Sequence, residues 1–221
     1  MFSIFLFQLI TIVNSYTLLK RCQHTASYAN NKVYFIGGAT DVLKYTNDFF
    51  YLDVSKPFTL DSDLPVVGLS NDLIPKHVLA ATTICGSNRD TIFLFGGEFE
   101  DAKAPLVFAY NTSNPVWTVI NDRGATKPLR RRSVAAACDK NAKIYSFGGT
   151  IKVSAASGDS YFFGHDFVIF DTNQLTWSLG TDLNGPPSMD VATATLLSDG
   201  RIVYIGGNTA TPLKFVGMSE V

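Results

Sequence analysis

"NAKIYSFGGT", residues 141–150, runs a strand-forming stretch straight into two glycines. A glycine pair weakens a strand, because it offers no side chain to pack and has the most backbone freedom to lose. Nearly the same stretch returns as "NKVYFIGGAT" (31–40), "RDTIFLFGGE" (89–98) and "GRIVYIGGNT" (200–209). The pairs Gly37–Gly38, Gly96–Gly97, Gly148–Gly149 and Gly206–Gly207 are spaced by 59, 52 and 58 residues. Self-similarity at a period near 50 outranks local propensity in deciding a fold.

Superposing the four units exposes the remaining pattern. Each opens on small residues: "HTASY" (24–28), "VLAATT" (78–83), "VAAAC" (134–138) and "VATATL" (191–196). Alone, the alanines suggest helix. Recurring in phase, they suit strands crowded around a common axis. Polar turns follow, "ANNK", "CGSNRD", "DKNAK" and "LSDGR", of the kind that joins a hairpin. The strands that end on the glycine pairs come next.

After a variable insertion (39–48, 98–105, 150–166) a third strand is expected at "FFYLD" (49–53), "LVFAYN" (106–111), "FVIFD" (167–171) and "KFVGM" (214–218). A fourth strand carries tryptophan in units two and three, "PVWTVI" and "LTWSLG". In unit one, "VSKPFTL" (54–60) places Phe58 at the tryptophan position. Four antiparallel strands per unit, repeated, are propeller blades. The glycines then stand where the second strand ends against other backbone and a Cβ has no room.

On these residues the chain resembles the kelch-repeat family, whose propellers include the central domain of the galactose oxidase type. The matching positions are the four glycine pairs, the third-strand aromatics Tyr110 and Phe170, and Trp117 and Trp177. The resemblance implies an all-β, kelch-type β-propeller of about 3.5 four-stranded blades, at 21–65, 75–122, 130–182 and 188–221, the last incomplete. So few blades imply a partial or open arc whose unpaired edges favour self-association. Strand formation by "YTLLK" (16–20) within the last blade would be one way to close it.

Composition narrows function by exclusion. The chain has 221 residues, 46% hydrophobic, with a formal net charge of −1. That balance gives no electrostatic reason to expect nucleic acid as partner. Residues 1–15, "MFSIFLFQLITIVNS", read as a signal peptide preceding a mature domain of 16–221. Secretion is therefore expected. The alternative is membrane anchoring, through an uncleaved N-terminal segment or through a C-terminal tail missing from the chain. Secretion makes Asn111 in Asn111-Thr112-Ser113 a glycosylation acceptor. Cys22, Cys85 and Cys138 allow at most one bridge, and buried free thiols are the preferred reading.

No catalytic, cofactor or metal site is legible. His24, His77 and His165 are isolated, and the copper-radical site of the oxidase type has no matching tyrosine–histidine cluster. The carboxylates Asp48, Glu98, Glu100, Asp101, Asp166 and Asp190 show no telling spacing. A secreted module binding a protein or glycan is expected. The alternative is a carbohydrate-active enzyme of oxidase or epimerase type. Two surfaces are candidates for binding: Tyr161 and Phe162 in the longest insertion, and the run Arg130, Arg131, Arg132 before an inner strand, which suits an acidic glycan or protein.

Overall fold

The computed structural model describes residues 16–40, 44–59, 64–124, 126–180, 187–210 and 213–215. The expected signal peptide at 1–15 lies outside them. Among the described residues every regular element is a strand, and no helix is long and apolar enough to cross a membrane.

Three units each form a four-stranded antiparallel sheet in simple sequential order. The first contains Thr25–Ala29, Lys32–Ile36, Phe49–Asp53 and Val66–Leu69. The second contains His77–Cys85, Thr91–Phe99, Val107–Asn111 and Val116–Val119. The third contains Ala135–Cys138, Lys143–Phe147, Phe167–Asp171 and Thr176–Leu179. In the fourth, Thr193–Leu196 pairs with Ile202–Ile205.

Register explains why the central strands are apolar on both faces. In the second sheet Ile92, Tyr110 and Trp117 stand abreast and pack against the first sheet. Trp117 lies 5.2 Å and Tyr110 4.8 Å from the Phe49 ring, both edge-on. Phe93, Phe95 and Ala109 point to the other face and join Ile144 and Phe170 of the third sheet. The second blade is thus a layer between two neighbours, and full burial of rings such as Phe108 and Phe170 contributes about 2–3 kcal/mol apiece.

Small inner-strand residues let the sheets converge. Thr82 reaches Thr25 at 2.6 Å and Ser27 at 2.8 Å across the first junction. A backbone chain runs around the same rim. Leu79 N–H donates to the Gln23 carbonyl (2.9 Å), Ser133 N–H to Leu79 (2.9 Å) and Val191 N–H to Ser133 (3.1 Å). All four residues are left-handed, with φ of 56–57°.

Four expectations need correction. Cys85 and Cys138 are not free thiols: they form a disulfide between the inner strands of the second and third sheets, with Cα atoms 5.6 Å apart. The convergence of those strands brings the sulfurs together, which spacing along the chain does not reveal. Cys22 is the free, exposed cysteine. Phe58 lies outside the strands. The fourth strand of unit one is Val66–Leu69, past the expected boundary at 65, and Val66 sits across from Leu52, where Trp117 faces Tyr110 in unit two.

The segment 16–20 forms no strand. Tyr16 stacks on Phe50 of the first sheet at 4.9 Å, so this stretch lies on blade one and does not complete the last blade. Finally, Leu213–Phe215 pairs with Asn208–Ala210 in a hairpin and not with Ile202–Ile205. Residues 216–218 of the expected third strand lie outside the described residues.

Candidate functional site

Antiparallel order brings two kinds of segment to one end of the sheets: the approaches to the inner strands, and the links between second and third strands. The expected loop 150–166 is there, and most of it is strand. Thr150–Ala155 and Gly158–Phe163 form a hairpin that extends a short strand at Arg131–Arg132. Side chains alternate along it. Lys152 and Tyr161 face one way, while Ile151, Val153 and Phe162 face the other.

The Lys152 side looks onto the second sheet across a cleft of about 240 Å³, whose lining includes Glu98, Phe99, Arg132 and Thr150. Glu98 accepts from Arg132 at 2.8 Å and from Lys152 at 3.2 Å. Lys152 also meets Asp159 at 2.9 Å, and these partners raise its pKa. The Arg132 guanidinium lies 4.2 Å from the Tyr161 ring centre, a cation–π contact. The charges of Glu98, Arg132, Lys152 and Asp159 are therefore matched within the molecule. The aromatic tips are not covered: Tyr161 is 42% and Phe162 57% exposed.

The three arginines do not form a rim patch. Arg131 is buried, bonding Asp166 Oδ1 at 2.7 Å and the Gly148 carbonyl at 3.4 Å. Arg21 does the same in unit one, with Asp48 at 2.9 Å and the Gly37 carbonyl at 3.4 Å. Unit two has Leu106 where those aspartates stand, and no such pair. Instead Arg130 donates to the carbonyls of Gly96 (3.2 Å) and Pro105 (2.9 Å) and lies over Phe99. A guanidinium presents several donors in one plane, which suits it to capping converging carbonyls. Arg130 and Arg132 both line the cleft, and Arg132 is the one that pairs with Glu98.

The remaining sequence candidates separate. His77 is buried, stacked on Phe99 at 4.8 Å, with Nδ1 2.9 Å from the Pro75 carbonyl. Burial, reinforced by nearby Arg130, holds its pKa below the usual histidine value. His24 and His165 are exposed. Asp190 accepts from Thr150 at 3.2 Å and Asn208 at 3.3 Å, and Asp101 caps the Lys103 N–H. Among the described residues no three His, Cys, Asp or Glu side chains gather as a metal site. Tyr110, Phe170, Trp117 and Trp177 are structural, the last donating to Asp122 at 2.9 Å.

Asn111 lies at the opposite end of the sheets. Its side-chain oxygen accepts from the Ser113 and Asn114 N–H groups, both at 2.8 Å, closing the turn that Asp171 closes in unit three. Sequence reasoning missed the partners of the arginines, because the aspartates follow an insertion of variable length. It also missed Lys152, whose only signal was alternation inside a stretch rich in Ser, Ala and Gly.

The family model described as the KLHDC2/KLHL20/DRC7 Kelch-repeats domain matches residues 23–217. The human "Rab9 effector protein with kelch motifs" is 26% identical over an alignment of 176 residues that covers 76% of this chain and 43% of that protein. The chain thus spans less than half the length of that curated relative. A solved structure titled "Structure of YjhT" superposes with a TM-score of 0.64 at 16% identity, covering 90% of this chain and 65% of that one. This likeness concerns the fold.

Proposed function

The chain belongs to the kelch-repeat family, and from that membership we propose an interaction module that binds a protein partner through the hairpin 150–163 and its cleft. The observation that carries this reading is the pair Tyr161 and Phe162, exposed on a hairpin whose base is braced by Arg132, Glu98 and Lys152. Rigid support under large aromatic tips is what an anchor side chain needs, since little conformational entropy is then lost on binding. The human relative is named as an effector of Rab9. A glycan is the second reading, favoured by the exposed Phe162 ring.

An oxidising compartment fits the Cys85–Cys138 disulfide. We place the protein outside the cytosol, secreted or held at a membrane, with a glycan on Asn111. That site lies at the far end of the sheets from the hairpin, so the glycan would leave the binding face clear. The enzymatic alternative gains nothing from Asp48, Asp166 or Glu98, each held by an arginine.

A photo-crosslinking residue at Phe162, introduced in cells that export the protein, should give a discrete adduct. The same residue at exposed Asn114, on the far end, should give none. Replacing Tyr161 and Phe162 by Ser should remove binding at least tenfold without reducing export. Equal crosslinking at both ends, or unchanged binding by the double variant, rules the hairpin out.

A further inference from the structure

Neighbouring units meet at their outer strands, and two of these meetings differ in one hydrogen bond. Between units two and three, Trp177 donates its indole N–H to Asp122 at 2.9 Å. Asp122 stands three residues past the fourth strand of unit two, in Ile120-Asn121-Asp122-Arg123. The next residue holds this segment in place. The Arg123 N–H donates to the Leu175 carbonyl at 2.6 Å, and Arg123 lies alongside Thr176 in parallel. The chain itself thus supplies the acceptor, on a stretch laid against unit three.

Between units one and two the corresponding tryptophan has no such acceptor. Trp117 and Trp177 hold matching places, each across from the third-strand aromatic of its own sheet. Their ring centres lie 5.1 and 4.6 Å from those of Tyr110 and Phe170, inclined at 45° and 47°. The two N–H groups therefore leave their blades in the same direction. The Trp117 ring is packed in the core and only 8% exposed, yet its N–H has no hydrogen-bond partner among the described residues.

The repeat equivalent of Asp122 is Asp72, in Ser70-Asn71-Asp72-Leu73, but this segment is drawn toward unit one. Asn71 donates to the Asn47 carbonyl at 2.9 Å, and Asn47 donates to the carbonyls of Asn71 and Ile74, both at 3.2 Å. Asp72 is left exposed, without an ion pair among the described residues. Between this segment and Pro115–Trp117 runs a groove of about 400 Å³, with Leu73 and Val116 exposed on its walls.

We propose that this groove binds an extended segment of a partner protein, in the way that Asp122 and Arg123 lie against unit three. An acidic side chain of the partner takes the Trp117 N–H, and a basic residue beside it meets Asp72. The occupant follows from continuity with the next groove, where the same fold receives Asp-Arg from its own chain. The unpaired carboxylate of Asp72 adds the charge complement. A buried donor without an acceptor is unfavourable, so a partner that supplies one is selected over a merely apolar one. This surface is separate from the hairpin 150–163 and uses neither its aromatics nor its cleft.

The probe is that internal segment as a free peptide, acetyl-Ile-Asn-Asp-Arg-Gly-amide, titrated into the isotope-labelled full chain and followed by NMR. The chain has two tryptophans, so two indole N–H signals report, and Trp177→Phe assigns them. Where that variant does not fold, Asp122→Asn assigns them by moving the Trp177 signal. The Trp117 signal should move saturably at about millimolar peptide, as suits so small a contact, while the Trp177 signal stays. Replacing the peptide's aspartate by alanine should weaken binding about tenfold, the loss of a hydrogen bond to a charged group. Val116→Glu, at an exposed position on the groove, should weaken it likewise by setting a like charge beside the peptide's carboxylate. A Trp117 signal that stays still, two signals that move together, an alanine peptide that binds equally well, or a Val116→Glu chain that binds like the wild type would each overturn the proposal. So would a Trp117 signal moved as far by Asp72→Asn without peptide, since the chain's own carboxylate would then already hold the N–H.

Discussion

Arg131 places its guanidinium 2.7 Å from Asp166 and within 3.4 Å of the Gly148 carbonyl, with its own side chain 9% exposed. A charge so enclosed depends on its partner, because desolvation removes the water that would otherwise replace it. Asp166→Asn should therefore cost about 2 kcal/mol, the worth of a hydrogen bond to a charged group. A urea titration checks this, and an unchanged midpoint would mean that water reaches the site. The phase of Arg131 with Arg21 was legible in the sequence. Its role was not, since Asp166 is 35 residues away and no local spacing links the two. A run of three arginines reads as a surface until the fold shows two of them capping carbonyls. Asn111 carries the same ambiguity, for its side chain serves the turn that Asp171 closes in the next unit.

Strands and their order were largely readable, because four imperfect copies of one unit correct each other's ambiguities. The alanine-rich inner strands are the clearest case, since propensity alone would have made them helical. The reading failed where one copy departs from the rest. Unit one reaches its fourth strand only at Val66, and the insertion after Gly149 becomes a hairpin although Gly158 and its small neighbours suggest an open loop. The glycine pairs allow a test at this scale. Gly148 and Gly206 have similar backbone angles, φ +70° and +75°, so alanine at either carries similar left-handed strain, about 1 kcal/mol. At 148 the new Cβ also meets the Met189 carbonyl, whereas at 206 it meets nothing. Gly148→Ala should be more destabilising than Gly206→Ala by about 1–3 kcal/mol, the usual cost of overpacking. Thermal unfolding at low protein concentration measures the difference, and equal losses would show that blade junctions yield freely.

At the scale of the molecule, repetition made the architecture legible and left the candidate site obscure. Glycine spacing reports how blades stack, and nothing in it reports which insertion carries exposed rings on a braced hairpin. The disulfide was equally hidden, because Cys85 and Cys138 are 53 residues apart and meet only once two sheets share an axis. That bond has a mechanical consequence. Pulled by its two ends, the chain transmits tension across Cys85 and Cys138 directly, and the residues between them carry no load. About 180 Å of potential extension is thereby withheld, although three of the four strands of the second blade and the first strand of the third lie inside it. Single-molecule stretching should show a contour shorter by that length without reductant, and should recover it when a thiol is added. An identical contour in both conditions would mean that the bond does not form in the folded protein.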